Sequence, residues 1–310
     1  VFFPLRPATP ATLNFMVART LFLWLGYVFT QKAVNLVVLT MVTYIFVRQE
    51  TGIERDSLQK IQDLIAANEI LAVGAAALLY TLALHAFRPL ARTSWSDIWA
   101  LRKNSAHLGP SLLHGVIIGA ITLIATASGG YLSYLGFYLR VDEIALSSLT
   151  IFFFSAAVLM TALVEEYIFR ACLEPVLSKR LSLGSTIAIS TAMYVCTKAF
   201  LFDISAVVAL NLALLNISFS LFARARGTFV ASALLYFGLF TTMHFCFGLP
   251  FFGQDMPGIL LLRPDSASSE PGTLGYVLSG GSWGPENGLI FSALLVIALY
   301  LPQLHSKKIS

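Results

Sequence analysis

Charged residues are scarce in this chain. They make up 12% of the 310 residues, which is half of the roughly 25% found in an ordinary soluble domain. Hydrophobic residues account for 57% of the chain, and the mean hydropathy is +0.79. This composition excludes a soluble globular domain and predicts a membrane protein that crosses the bilayer several times.

Cysteines and the short motifs of common enzymes are also few or absent. Cys172, Cys196 and Cys246 all lie in or beside apolar stretches, so we expect no disulfide framework and no thiolate metal site. The sequence contains no phosphate-binding Gly-Lys-Ser/Thr loop, no Gly-x-Ser-x-Gly elbow and no His-Glu-x-x-His motif. We therefore expect neither a cofactor nor a bound metal.

Eight apolar stretches are long enough, or nearly so, to cross a bilayer, which requires about 20 residues in a helix. They are Leu21–Phe46, Ile70–Phe87, Ser111–Phe137, Leu146–Val164, Ser185–Phe200, Ala206–Phe222, Phe229–Phe247 and Leu289–Leu301. Twelve of the 20 basic residues then fall on the side of the termini, five on the other side and three inside the membrane. Because Lys and Arg are enriched in cytoplasmic loops, the sequence predicts an all-α bundle of eight transmembrane helices with both termini in the cytoplasm.

The whole chain, residues 1–310, is predicted to form a single membrane domain. Its net charge of +4 follows from this topology and from contact with anionic lipid, and it carries no nucleic-acid signature. The longest outside connection, Gly248–Gly288, is rich in glycine and proline and contains the apolar island Ile259–Leu262. Such an island favours a binding surface for a protein partner or a re-entrant contact, with disorder as the alternative. The last helix, about residues 289–303, follows this connection.

Two polar residues, Gln31 and Lys32, interrupt the first predicted span near its middle. Lys32 is compatible with a polar interior or with snorkelling around a broken helix. The alternative is that Lys32 pairs with a carboxylate elsewhere in the bundle.

Small residues are frequent in the third predicted span. They let helices approach closely in lipid, and they indicate helix packing only. These residues are Gly115, Gly119, Gly129 and Gly130.

Three charged residues, Glu165, Glu166 and Arg170, lie at the end of the fourth predicted span. Charge at membrane depth costs roughly 2.5–3.5 kcal/mol per residue, so an intramembrane ionisable cluster is a functional-site hypothesis. Glu166 and Arg170 are four residues apart and can pair on a helix. Glu165 points about 100° away from Glu166 and is left over.

Two interpretations of Glu165 are open. A desolvated carboxylate without a partner can take a proton from water near neutral pH, as a general base must. Alternatively, Glu165 pairs with a cation on another helix, for which the sequence offers Lys198. A lysine within reach would make Glu165 a poorer base.

The pattern Glu165-Glu166-x-x-x-Arg170, followed by Leu173-Glu174-Pro175 and an apolar helix, resembles the first motif of the CAAX-protease and bacteriocin-processing (CPBP) family of intramembrane proteases. The resemblance covers roughly Ser94–Phe247. It implies a CPBP-type core of transmembrane helices and proteolysis in which Glu165 activates water. It also implies that a Phe-x-x-x-His motif and a later His-x-x-x-Asn motif assist the glutamate and stabilise the oxyanion.

At the positions that match these two later motifs, the sequence departs from the family. Tyr194-x-x-x-Lys198 stands in place of Phe-x-x-x-His, and Tyr236-x-x-x-Phe240 stands in place of His-x-x-x-Asn. Phe240 and His244 do form a Phe-x-x-x-His pattern, but His244 is two helical turns, about 12 Å, beyond Tyr236. The candidate catalytic or vestigial residues are Glu165, Glu166, Arg170, Lys198, Tyr236 and His244.

Two functions follow from these observations. The first is a CPBP-like membrane protein that has lost proteolysis and acts as an accessory or scaffold subunit of a membrane complex. The second is an active intramembrane endopeptidase in which Glu165 activates water and Lys198, Tyr236 or His244 replaces the missing histidines. A transporter or channel is less favoured, because the sequence has no broken-helix repeat and no charged pore ring.

Overall fold

A computed structural model describes the chain at residue 18, residues 20–33, residue 82, and residues 108–137, 144–202, 204–251, 258–265 and 270–306. The structure is mostly helical, at 79%, as the composition predicts. Apart from residue 82, the predicted second span, Ile70–Phe87, lies outside the described residues. The second half of the first predicted span, residues 34–46, lies outside them as well.

Helices and one two-stranded sheet form the described part of the chain. The first helix, α1, includes residues 20–33. The remaining elements are, in order, α2 (Leu108–Ser128), β1 (Leu132–Phe137), α3 (Ile144–Glu166), a first π-helical segment (Tyr167–Leu173), α4 (Glu174–Leu177), α5 (Leu183–Leu201), α6 (Ala206–Arg226), α7 (Phe229–Phe240), a second π-helical segment (Thr241–Cys246), β2 (Leu260–Pro264), α8 (Leu274–Ser279), two 3-10 turns (Gly281–Trp283 and Pro285–Asn287) and α9 (Leu289–Ser306).

Three helices in the described part of the chain are long and apolar enough to cross a membrane. They are Leu108–Ser128, Ala206–Arg226 and Phe229–Cys246, the last of which continues α7 through the second π-helical segment. Their lengths of 21, 21 and 18 residues match the roughly 20 residues that a helical span requires. These helices support the prediction of a membrane protein.

Local sequence sets both ends of α6. Before its first turn, the Ser205 hydroxyl accepts a hydrogen bond from the Val208 backbone N–H at 3.2 Å, as an N-cap serine does. After its last turn, Gly227 adopts a left-handed φ of 70° and donates its N–H to the Ala223 carbonyl, which is a common helix C-terminus. Between these ends, Asn211 and Asn216 are fully buried. The helix therefore carries hydrogen-bonding side chains into the apolar bundle.

The predicted third span, Ser111–Phe137, is wrong at its C-terminal end. Helix α2 stops at Ser128, because Gly129 and Gly130 form a turn and Gly130 has a left-handed φ of 73°. The chain then continues as β1, which pairs antiparallel with β2. The apolar island Ile259–Leu262 thus contributes a strand, and the all-α prediction omitted this small sheet.

The segment before α9 folds back into the bundle. Pro285, Glu286 and Asn287 are buried in the second 3-10 turn. Asn211 of α6 holds this turn by donating its side-chain amide to the carbonyls of Glu286 at 2.8 Å and Gly288 at 3.1 Å. This geometry favours a contact with the bundle over disorder for residues 285–288, which form the re-entrant segment. Residues 252–257 and 266–269 of the same connection lie outside the described residues.

Glycines allow α2 and α7 to touch backbone to backbone. A Cβ atom at Gly115 would lie 2.1 Å from the Leu235 carbonyl oxygen, and one at Gly238 would lie 2.4 Å from the Leu112 carbonyl oxygen. A Cβ atom at Gly119 would lie 2.9 Å from the Cβ atom of Thr242, just beyond the end of α7. The packing role predicted for Gly115 and Gly119 is confirmed. For Gly129 and Gly130 it is wrong, because both residues lie in the turn that ends α2.

Replacing Gly238 with alanine should therefore separate α2 from α7. We expect Gly238→Ala to lower the free energy of unfolding by about 1–3 kcal/mol, the usual cost of overpacking. Gly109→Ala is the matched control in α2, because nothing lies within 4 Å of its added Cβ. Thermal unfolding of both variants in detergent micelles measures the difference. Equal melting temperatures would contradict the close approach of these two helices.

Candidate functional site

Glu165 is held in an ion pair at the end of α3. Its Oε1 accepts hydrogen bonds from the Lys198 ammonium group of α5 and from the Tyr27 hydroxyl of α1, the latter at 2.5 Å. Glu165 is 1% exposed and Lys198 is 6% exposed. The sequence-based prediction of this ion pair is confirmed, and a tyrosine that the sequence did not indicate completes it.

Helix α1 supplies polar groups to this pair, but it does not do so through Lys32. Lys32 is exposed, whereas the neighbouring Gln31 is buried and donates its side-chain amide to the Tyr27 hydroxyl oxygen at 2.8 Å. Tyr27 is further fixed by edge-on packing against Phe169, with ring centroids 5.8 Å apart. One chain of hydrogen bonds thus crosses three helices, from Gln31 through Tyr27 and Glu165 to Lys198.

Arg170 lies at the centre of a second network. Its Nε donates to Glu166 at 3.1 Å, so the predicted pair four residues apart is confirmed. One terminal nitrogen also contacts Glu174 at 2.7 Å, and the other donates to the Asn216 side-chain oxygen of α6 at 2.8 Å. A planar guanidinium group suits this arrangement because its donors point in several fixed directions.

Glu174 extends this network to the end of α6. It accepts a hydrogen bond from the Ser220 hydroxyl at 2.5 Å and one from the Arg224 guanidinium at 2.9 Å. Glu174 is buried, whereas 37% of the Arg224 side chain is exposed. Helical spacing alone could have indicated this contact, because Glu174 follows Arg170 by four residues just as Arg170 follows Glu166.

The two networks balance their formal charges. Three carboxylates, on Glu165, Glu166 and Glu174, face three cations. The cations are Arg170, Lys198 and Arg224. Burying ions in an apolar bundle is tolerable only when each one is paired and hydrogen-bonded. Each of the three buried carboxylates therefore has a cationic partner.

Tyr236 lies on α7, where aromatic packing positions its ring. It is half-buried, and its ring packs against Phe219 at 5.6 Å and Phe240 at 6.1 Å between centroids. Tyr236 also lines a small cavity together with Tyr194 and Lys198. The positions that match the family's two later motifs are therefore brought together around one cavity.

His244 engages a different carboxylate. It is fully buried in the second π-helical segment, where Nδ1 contacts the Leu249 carbonyl oxygen at 2.8 Å and Nε2 contacts Glu286 Oε1 at 2.8 Å. The carboxylate that His244 contacts is therefore Glu286 and not Glu165. Glu286 was not indicated by any sequence spacing, because it reaches His244 from the re-entrant segment, 42 residues along the chain.

The described residues contain no group of three or more His, Cys, Asp or Glu side chains that could hold a metal ion. Among the same residues, Cys172, Cys196 and Cys246 form no disulfide bond. Comparison of the chain with protein-family models, with curated proteins and with solved structures finds no match.

The pairing of Glu165 with Lys198 can be tested by a double-mutant cycle. We expect Glu165→Gln and Lys198→Gln each to lower the free energy of unfolding by about 3–5 kcal/mol, because each strands a buried charge. The double variant should recover most of this loss, because it leaves no unpaired ion. Denaturation in mixed detergent micelles measures all three variants.

Two exposed residues provide matched controls for this cycle. Glu270→Gln and Lys179→Gln remove the same functional groups at the surface, and each should change the free energy of unfolding by no more than about 0.5 kcal/mol. A double variant as unstable as the sum of the single changes would show that Glu165 and Lys198 do not stabilise one another.

Proposed function

We propose that this chain is a multi-pass membrane protein with a CPBP-type core that has lost proteolysis and acts as an accessory or scaffold subunit of a membrane complex. The single observation that carries the proposal is the environment of Glu165. The carboxylate that would activate water is bonded instead to the Lys198 ammonium and to the Tyr27 hydroxyl.

A general base must reach the proton that it abstracts, directly or through one water. Glu165 Oε1 already accepts two hydrogen bonds, and the side chain is buried among α1, α3 and α5. Activating water there would require the ion pair to open and leave Lys198 uncompensated in an apolar bundle. The geometry favours a structural role for the pair.

The proposed topology has eight transmembrane helices with both termini in the cytoplasm. Three candidate spans of the described chain and the excess of Lys and Arg on one side support it. The buried polar networks also support it, since they link helices in the manner expected where unpaired charge is costly. A bundle with a fixed, charge-balanced interior is suited to presenting its outer surface to a partner.

The partner surface is proposed to lie in the connection Gly248–Gly288. The 3-10 turn of this connection is taken up by the bundle, whereas α8 keeps apolar side chains at the surface. Leu274 is 73% exposed and Val277 is 36% exposed. An apolar patch carried on an ordered helix suits binding to another membrane protein.

An active endopeptidase is the alternative, and it makes the opposite prediction for the pair. If the protein is a scaffold, the charge-neutral variant Glu165→Gln/Lys198→Gln should restore the wild-type phenotype to cells from which the gene has been deleted, because the fold is kept. If Glu165 activates water, the same variant should behave as a null although it is folded and inserted. Growth or processing phenotypes, measured at equal protein levels, separate the two functions.

The proposed partner surface requires its own test. We expect Leu274→Asp to reduce recovery of a partner that co-purifies with the tagged chain at least about tenfold, equivalent to 1.4 kcal/mol of binding free energy. Leu183→Asp is the control, because Leu183 is 51% exposed at the start of a different helix, α5. Equal recovery with both variants would place the partner surface elsewhere.

A further inference from the structure

Glu286 and His244 form a second buried acid–base pair, separate from the networks around Glu165 and Arg170. The rings of Phe240 and Phe251 pack against the imidazole, with centroids 4.4 Å and 5.1 Å away. Glu286 is 4% exposed and His244 is fully buried. Because both residues are buried, protons can reach this pair from the solvent only through a cavity beside it.

The hydrogen bonds of His244 fix how protons are arranged in this pair. Nδ1 faces a carbonyl oxygen, which can only accept, so Nδ1 carries a hydrogen. Nε2 faces Glu286 Oε1, and one proton is shared between these two atoms. Both ring nitrogens are thereby engaged, and the histidine acts as the positioning group for Glu286. The second carboxylate oxygen of Glu286, Oε2, can still accept a hydrogen bond or a proton.

Glu286 Oε2 is buried and has no hydrogen-bond partner among the described residues. An unsatisfied buried carboxylate oxygen is costly and marks a place for a hydrogen-bond donor. Glu286 lines the cavity that also contains Tyr194, Lys198 and Tyr236. The space open to the centre of a water molecule there is about 10 Å³, close to the least that holds one water.

The same cavity brings the two acid–base pairs into one environment. Lys198, which is bonded to Glu165, lines it from α5. Glu286, which is bonded to His244, lines it from the turn before α9. The two tyrosines complete the ionisable groups that face the cavity. When ionisable groups share a desolvated space, the protonation of one alters that of the other.

We propose that Glu286 Oε2 is a proton-binding site, served by one water in this cavity and coupled to the Lys198–Glu165 pair. Protonation adds one proton to Oε2, which changes from an acceptor from the water to a donor toward it. Oε1 then becomes the carbonyl oxygen of a neutral acid, so the proton that it shared with His244 is held by Nε2, and no other bond is broken. This site is independent of the proposed scaffold role, and it makes the cavity a functional element in its own right.

Infrared difference spectroscopy of the protein in lipid nanodiscs tests the proposal across a pH series. We expect the carbonyl stretch of one protonated carboxyl group to appear on acidification and to be lost in Glu286→Gln. In Glu165→Gln/Lys198→Gln the dependence of this band on pH should change, because coupled sites titrate together. Glu270→Gln, which removes an exposed carboxyl group, should leave the band and its midpoint unchanged.

A second measurement leaves the Glu286–His244 pair itself intact. With the other four of the five histidines replaced by glutamine, the ¹⁵N resonances of His244 should change with the same midpoint as the infrared band. A band that persists in Glu286→Gln, or ¹⁵N resonances that do not change across the pH series, would overturn the proton site. A band whose dependence on pH stays the same when the Lys198–Glu165 pair is removed would overturn the coupling.

Discussion

The desolvation of Arg170 constrains this bundle more than any other interaction. A guanidinium group cannot lose its charge in a protein, so its burial is tolerable only if surrounding elements supply enough acceptors. Here the acceptors come from Glu166 and Glu174 on either side of it in the chain, and from Asn216 on α6. The positions of α3, α4 and α6 are thereby tied together through one side chain.

The same rule of charge balance restricts the chemistry that Glu165 can perform. Its pairing with Lys198 removes the cost of two isolated buried ions, but it also uses the oxygen that would otherwise contact water. Stability and general-base catalysis therefore compete for one carboxylate. Glu286 differs in that His244 bonds to one oxygen, while the other, Oε2, is buried and has no hydrogen-bond partner among the described residues.

The short-range parts of the site could be predicted from the sequence. The Glu166–Arg170 pair follows from helical spacing, and the Glu165–Lys198 pair follows from the need to neutralise a leftover carboxylate with the cation that an adjacent span offers. Most of the helices are likewise evident from their apolar length. The partners Tyr27 and Glu286 could not be predicted, because chain spacing carries no information about contacts 138 and 42 residues apart.

Two local features also escaped prediction for physical reasons. Apolar length alone does not distinguish a continuing helix from a strand, so the turn at Gly129 and Gly130 was included in a span. The π-helical segments widen the helical turn around Arg170 and His244, where α-helical spacing was assumed. Extra residues in such turns change which side chains face one another, and this limits arguments that count residues along a helix.

Glu286 joins the segment before α9 to the interior of the bundle. His244 is buried with both ring nitrogens directed at acceptors, and one of these acceptors comes from the re-entrant segment. Without that segment the imidazole would face an apolar interior with Nε2 unsatisfied. The segment in turn depends on Asn211, which holds the backbone on both sides of Asn287. The turn Pro285–Asn287 is therefore part of the bundle interior, and Glu286 of this turn lines the cavity.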